Sequence, residues 1–145
     1  IAQPSFVEKA ARAFGSQAIV VSIDARSCGE GEWEVFTQGG RTSTGMKPET
    51  WACEVQKLGA GEILLQSIDR DGSGEGYDLE LIRRIASVVE IPVIALGGVG
   101  RYEDYARAVK AGASAVAAAN IWHFKELSDR NGKRALQRAG IPVRL

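Results

Sequence analysis

Asp24, Gln66, Asp71 and the run Gly97-Gly98-Val99-Gly100 are the residues whose types and places could do chemistry. Asp24 closes the apolar run Ala18 to Ile23, where a carboxylate could work as a general acid or base. Such work takes two carboxylates, so a lone Asp24 also reads as a capping or salt-bridged group. Asp69 and Asp71 flank Arg70 in the polar loop Ile68 to Gly74. They either shape that loop or, for Asp71, meet a ligand. The glycine run opens a helix, and a second helix start follows Asn120. Together these offer backbone N–H groups and positive dipole ends to a phosphate; alone, the run also serves as a tight turn. His123, the single histidine, stands between Trp122 and Phe124 and reads as packed rather than catalytic. Cys28 and Cys53 have neither metal spacing nor a base partner, so they read as reduced thiols, with no metal site and no cofactor implied.

The elements that must position these groups alternate. Ser5-Phe6-Val7-Glu8 reads as a capping box, and the helix over 5–14 carries Phe6, Val7, Ala10, Ala11 and Phe14 on one face. Ala18 to Ile23 reads as a strand buried on both faces. In the insert Arg26 to Gly45, Glu32 to Thr37 and Arg41 to Thr44 flank Gln38-Gly39-Gly40 as a hairpin. Pro48 suits the first turn of a helix striped by Trp51, Val55 and Leu58. Glu62 to Ser67 is a strand, and Asp78 caps a helix striped by Leu79, Ile82, Ile85 and Val89. Val93 to Leu96 is a strand, Tyr102 to Val109 a helix, Ser114 to Ala118 a strand of small residues, and Leu127 to Ala139 a last helix. "Helix, glycine, strand" junctions recur at Gly15, Gly59 and Gly112.

Composition bounds the function. The chain has 145 residues, 45% of them hydrophobic and 25% charged, with 18 basic and 18 acidic side chains. Its net charge of zero provides no general field for nucleic acid or an anionic membrane. The run Ile91 to Val99 is far short of the ~20 residues that span a bilayer. No secretory signal is read at the start, and a cytoplasmic protein is expected.

Buried parallel strands joined by helices make an α/β protein, either an open doubly wound sheet or part of a (β/α)8 barrel. A full barrel needs eight strands and roughly 250 residues. Four strands here make half a TIM-type barrel, a single half-barrel domain over 1–145 with a leading helix and four βα units. Polar residues and glycines gather at the C-terminal strand ends, where both folds bind ligands. Strand faces meant for a barrel interior, read as including Val20, Leu64, Val93 and Ala117, would then meet water. Two open sheet edges lead to the expectation of a homodimer that closes the barrel.

The stretches AIVVSIDAR (Ala18 to Arg26), LGAGEILLQSIDRDG (Leu58 to Gly72), Gly76 to Asp78, IALGGVG (Ile94 to Gly100), AAANIWHF (Ala117 to Phe124) and Gly140 to Arg144 carry a specific resemblance. The sequence closely resembles the C-terminal half of the cyclase subunit of imidazole glycerol phosphate synthase. The resemblance covers nearly the whole chain. It implies a (β/α)8 barrel that takes ammonia from a glutaminase subunit and closes the imidazole ring on a doubly phosphorylated ribonucleotide in histidine biosynthesis, a lyase-type reaction. It implies that Asp24 is the catalytic Asp of the fifth barrel strand, with the first-strand Asp outside this half. It also implies that Gly72, Gly97, Gly98 and Asn120 surround a phosphate site; Asp71 and Gln66 are read as supporting residues of the catalytic Asp24.

Four positions depart from that pattern. Gln66, Leu96 and Asn120 stand where the family usually has a hydroxyl residue, and Arg26 where Lys is common. Two further readings therefore stand beside the cyclase: a cyclase-like subunit of a sugar amidination pathway, and a phosphate-binding or assembly module without turnover. All take a phosphorylated small molecule, and neither nucleic acid nor membrane.

Overall fold

A computed structural model describes residues 1–119, 121 and 129–144. Asn120, Trp122, His123 and Phe124 lie outside the described residues, and the last expected helix is described from Asp129. The elements are α1 (Ser5–Phe14), β1 (Val20–Gly29), β2 (Glu32–Thr37), β3 (Thr42–Ser43), α2 (Pro48–Lys57), β4 (Glu62–Ser67), α3 (Leu79–Val88), β5 (Val93–Leu96), α4 (Glu103–Lys110), β6 (Ala115–Val116) and α5 (Asp129–Arg138). Among the described residues no helix is long and apolar enough to cross a membrane.

One sheet holds the strands in the order β3-β2-β1-β4-β5-β6. The pairs β1–β4, β4–β5 and β5–β6 are parallel, and each step goes to the next parallel strand in sequence. A doubly wound sheet reverses its strand order at a switch point. This order does not reverse. Right-handed crossovers that always step the same way put α2, α3 and α4 on one face, which is the arrangement of a partial (β/α)8 barrel.

The expected hairpin β2–β3 is present, and the antiparallel sheet is larger than the sequence suggests. β1 runs on to Gly29 and pairs with β2, with Asp24 opposite Phe36. The insert thus lengthens the strand that carries Asp24.

Burial alternates along the strands. Ile23, Ala25, Ile63, Leu65, Val93 and Ala95 are all at or below 2% exposed and face the helices, packing on Val55, Leu81 and Ile85. The opposite face is open. On it Ser22, Leu64, Ile94 and Ala115 share one register row, and Asp24, Gln66 and Leu96 the next. Val93 therefore belongs to the helix side, one residue out of phase with the expectation. Val20, at 49% exposed, is on the open side as expected.

The local signals mostly act as read. Pro48 opens α2, and the Asp78 carboxylate accepts from the Leu81 N–H at 3.1 Å. The junction glycines have a packing reason: a Cβ on Gly59 would sit 2.8 Å from the Ala11 Cβ, and one on Gly112 2.8 Å from the Ala86 Cβ. Each glycine lets the end of one helix approach an alanine of the helix before it. The capping box at Ser5 does not form. Pro4 is already helical (φ −56°, ψ −35°) and Val7 N–H donates to its carbonyl. The helix keeps its expected bounds, but Pro4 takes the cap position, Ser5 lies inside the first turn, and Glu8 pairs with Arg12 instead.

Candidate functional site

Strand parity decides which side chains share the C-terminal rim of the open face. Asp24 lies there with Ser22 two residues before it, and the Ser22 hydroxyl donates to Asp24 Oδ1 at 3.1 Å. Ser22 escaped the sequence reading, although the two-residue period of a strand places it on the Asp24 face. A cavity of about 270 Å³ opens on Asp24, with Ser22, Phe36 and Thr37 in its wall. The Arg26 guanidinium lies 4.6 Å from the centre of the Phe36 ring, a cation–π contact.

Gln66 is the β4 neighbour of Asp24 in the parallel register. Its Nε2 donates to Asp71 Oδ2 at 2.9 Å, and the Asp71 N–H donates to the Ser67 carbonyl at 3.1 Å. The structure thus gathers at one rim Asp24, Gln66 and Asp71, three of the polar side chains that the sequence points to. Leu96 flanks Gln66 on β5 and makes that side of the row apolar. Asp69 does something else. It accepts from the Ser27 N–H at 2.7 Å and faces Arg26 Nε at 3.7 Å, which fixes the loop after β4 to β1.

The glycines of two loops interlock. Gly76 N–H donates to the Gly98 carbonyl at 2.7 Å. A Cβ on Gly98 (φ +97°) would come within 2.3 Å of the Gly76 carbonyl oxygen, and one on Gly100 within 2.0 Å of the Gly74 oxygen. Gly97 (φ +98°) is pressed against the Ser67 carbonyl in the same way, whereas a Cβ on Gly72 would meet open space. The loop after β4 and the loop after β5 therefore form one rim.

Asp104, only 2% exposed, was also missed from the sequence. Its Oδ2 accepts from the N–H groups of Gly100 and Arg101 at 3.2 and 3.1 Å, and Oδ1 faces Arg107 at 3.5 Å. The start of α4, expected to offer its amides to a phosphate, thus already holds an internal anion. Asn120, the other expected phosphate residue, is outside the described residues.

Tyr77 and Tyr105 pack behind the rim, and burial pushes both phenols above their ordinary range. The Tyr77 hydroxyl donates to the Ala117 carbonyl at 2.8 Å. Trp33 and Trp51 are core residues. Cys28 and Cys53 are free thiols, and no group of three His, Cys, Asp or Glu among the described residues is placed to hold a metal.

The family model described as histidine biosynthesis protein matches residues 1–128. The chain is 49% identical over 144 residues to the imidazole glycerol phosphate synthase subunit HisF of Gluconacetobacter diazotrophicus, covering 99% of this chain and 56% of that one. It is 54% identical over 145 residues to the same subunit of Pyrobaculum aerophilum, covering 100% of this chain and 57% of that one. The subunit of Endomicrobium trichonymphae is 49% identical over 144 residues, 99% of this chain and 55% of that one. The chain spans little more than half the length of these relatives.

Proposed function

The chain belongs to the family of histidine biosynthesis proteins, and on that premise we propose that it performs ammonia-dependent imidazole ring closure as the cyclase of imidazole glycerol phosphate synthesis. The observation that carries this reading is the place of Asp24: at the C-terminal rim of the open face, hydrogen-bonded to Ser22 and in register with Gln66. Asp24 moves the protons of ring closure. The backbones of Gly72, Gly97 and Gly98, with Asn120, hold a phosphate of the substrate. Ammonia comes from a glutaminase subunit, and the protein works in the cytoplasm.

Residues 1–145 act here as one half-barrel domain, and a second copy completes the barrel. Val20 at 49%, Phe6 at 69% and Phe14 at 72% exposed are apolar surface in one copy, on α1 and on the first residues of β1, which precede its pairing with β2 at Asp24 and leave that stretch open to further units. Eight strands are needed for a closed barrel packed with side chains. A two-fold axis along the barrel sets the Asp24 of each copy across the mouth from the other, which supplies the second carboxylate that acid–base work requires.

A second reading, a cyclase-like subunit of a sugar amidination pathway, draws support from Leu96. It stands beside Gln66 in the site row and provides no hydrogen bond to a ligand.

One preparation tests the first reading. Native mass spectrometry should give a dimer, and Asp24→Asn should lower ammonia-dependent ring closure by about a hundredfold or more, the usual scale of a general acid–base group. A monomer rejects the closed barrel. Undiminished turnover removes Asp24 from the chemistry, and binding of the ribonucleotide without turnover moves the assignment to a binding module.

A further inference from the structure

Gln66 has a longer side chain than Leu96 and Asn120, the other two strand-end departures from the family pattern, and its amide has a definite use. We propose that Gln66 is a positioning residue: its side-chain N–H holds the Asp71 carboxylate at the mouth of the site beside Asp24. Asp24 and Gln66 are partners in the parallel ladder of β1 and β4, so their side chains leave the sheet on the same face one strand apart. The Gln66 Nε2 then reaches forward five residues to Asp71 Oδ2 at 2.9 Å. Asp71 is held twice, by this bond and by its own N–H on the Ser67 carbonyl. A hydroxyl on a Cβ is two carbons shorter than this amide and lies nearer the strand. On the other flank Leu96 offers no competing polar group.

The bond joins solvent-accessible groups, where a hydrogen bond contributes little to stability because water competes for both partners. Its consequence is orientation. One chain thereby places two carboxylates at one rim, Asp24 on β1 and Asp71 in the loop after β4. The inference rests on the reading of Asp24 as the acid–base group.

Ring closure by the full chain in its native assembly, with ammonia and the ribonucleotide, tests it. Gln66→Leu should lower kcat roughly tenfold to a hundredfold, the scale on which misplacing a group in an active site acts, with KM and the thermal midpoint unchanged. Asp71→Ala should lower kcat to a similar extent, and the double variant no further than either single one, as for two groups acting through one bond. Additive losses, or a loss confined to KM or to stability, overturn the proposal. The 15N–1H signals of the Gln66 side-chain amide should also move in Asp71→Ala; signals indifferent to that change overturn it as well. A wild type without turnover overturns the cyclase reading instead, and the amide signals then decide the role of Gln66 by themselves.

Discussion

The indole of Trp33 and the carboxylate of Asp78 are joined across the structure: Trp33 Nε1 donates to Asp78 Oδ2 at 2.9 Å. The same carboxylate caps α3 through Oδ1 and the Leu81 N–H. One aspartate thus ties the β1–β2 hairpin to the helix that follows the site loop. The Arg84 guanidinium lies over the Trp33 ring at 5.1 Å and pairs with Glu49 and Glu80, which closes the other side of the indole.

Asp78→Ala should therefore cost more than an ordinary cap. A lost N-cap alone costs about 1 kcal/mol, and an indole N–H left without its partner adds roughly 1–3 kcal/mol. Trp33 is only 8% exposed, so water compensates little. Urea denaturation followed by Trp fluorescence measures it. A loss no larger than that of a cap alone would show that the indole finds another acceptor.

Alkaline pH should unfold the protein. Burial raises Tyr77 most, helped by the negative charges of ionised Tyr105 and of Asp104; burial then Tyr102 raise Tyr105. A raised acid favours its neutral form in the folded state. The stabilisation is therefore complete below the ordinary tyrosine value near 10 and falls as pH climbs beyond it, where the unfolded chain ionises first. The slope approaches about 1.4 kcal/mol per pH unit for each such tyrosine. Urea midpoints between pH 8 and 11 should fall steeply in the wild type and less so in Tyr77→Phe.

Phosphate binding is better probed at Gly72 than at Gly98. In Gly98→Ala the new Cβ would meet the Gly76 carbonyl oxygen at 2.3 Å and Arg70 Cβ at 2.8 Å, on a backbone with φ +97°. We expect a loss of about 2 kcal/mol or more, so weaker phosphate binding there reads folding. Gly72 (φ +78°) has open space, so Gly72→Ala meets only the left-handed backbone strain, roughly 1–2 kcal/mol. Calorimetric titration of a folded Gly72→Ala protein with inorganic phosphate should then show weakened binding. Equal affinity would take Gly72 out of the phosphate site.

The sequence alone determines the alternation of elements, the β2–β3 hairpin, the Asp78 cap, Pro48 at the head of α2 and the glycine junctions. All but the junctions depend on neighbours a few residues away, and the junction glycines are visible as a repeat although Gly59 and Gly112 pack on a distant helix. The resemblance carried by AIVVSIDAR and IALGGVG likewise points to the family without reference to the fold. Three things were decided only by the tertiary structure. The face of each strand residue was one: a continuous apolar run such as Val93 to Leu96 has no polar alternation to reveal its parity, and a one-residue slip exchanges the faces. That slip misplaced Val93. The partners of Gln66 and Asp104 were another. The Gln66 amide could have turned to any acceptor on the rim, and only the loop that brings Asp71 back over β4 selects one. Asp104 looks in sequence like a first-turn acid favoured by the helix dipole; folding buries it as the anion that holds Gly100 and Arg101. The third was the start of α1, where Pro4 enters the helical conformation and leaves Ser5 nothing to cap. Local chemistry fixes elements because its partners are near in the chain; the rim joins loops dozens of residues apart, and their contacts exist only once the sheet has formed.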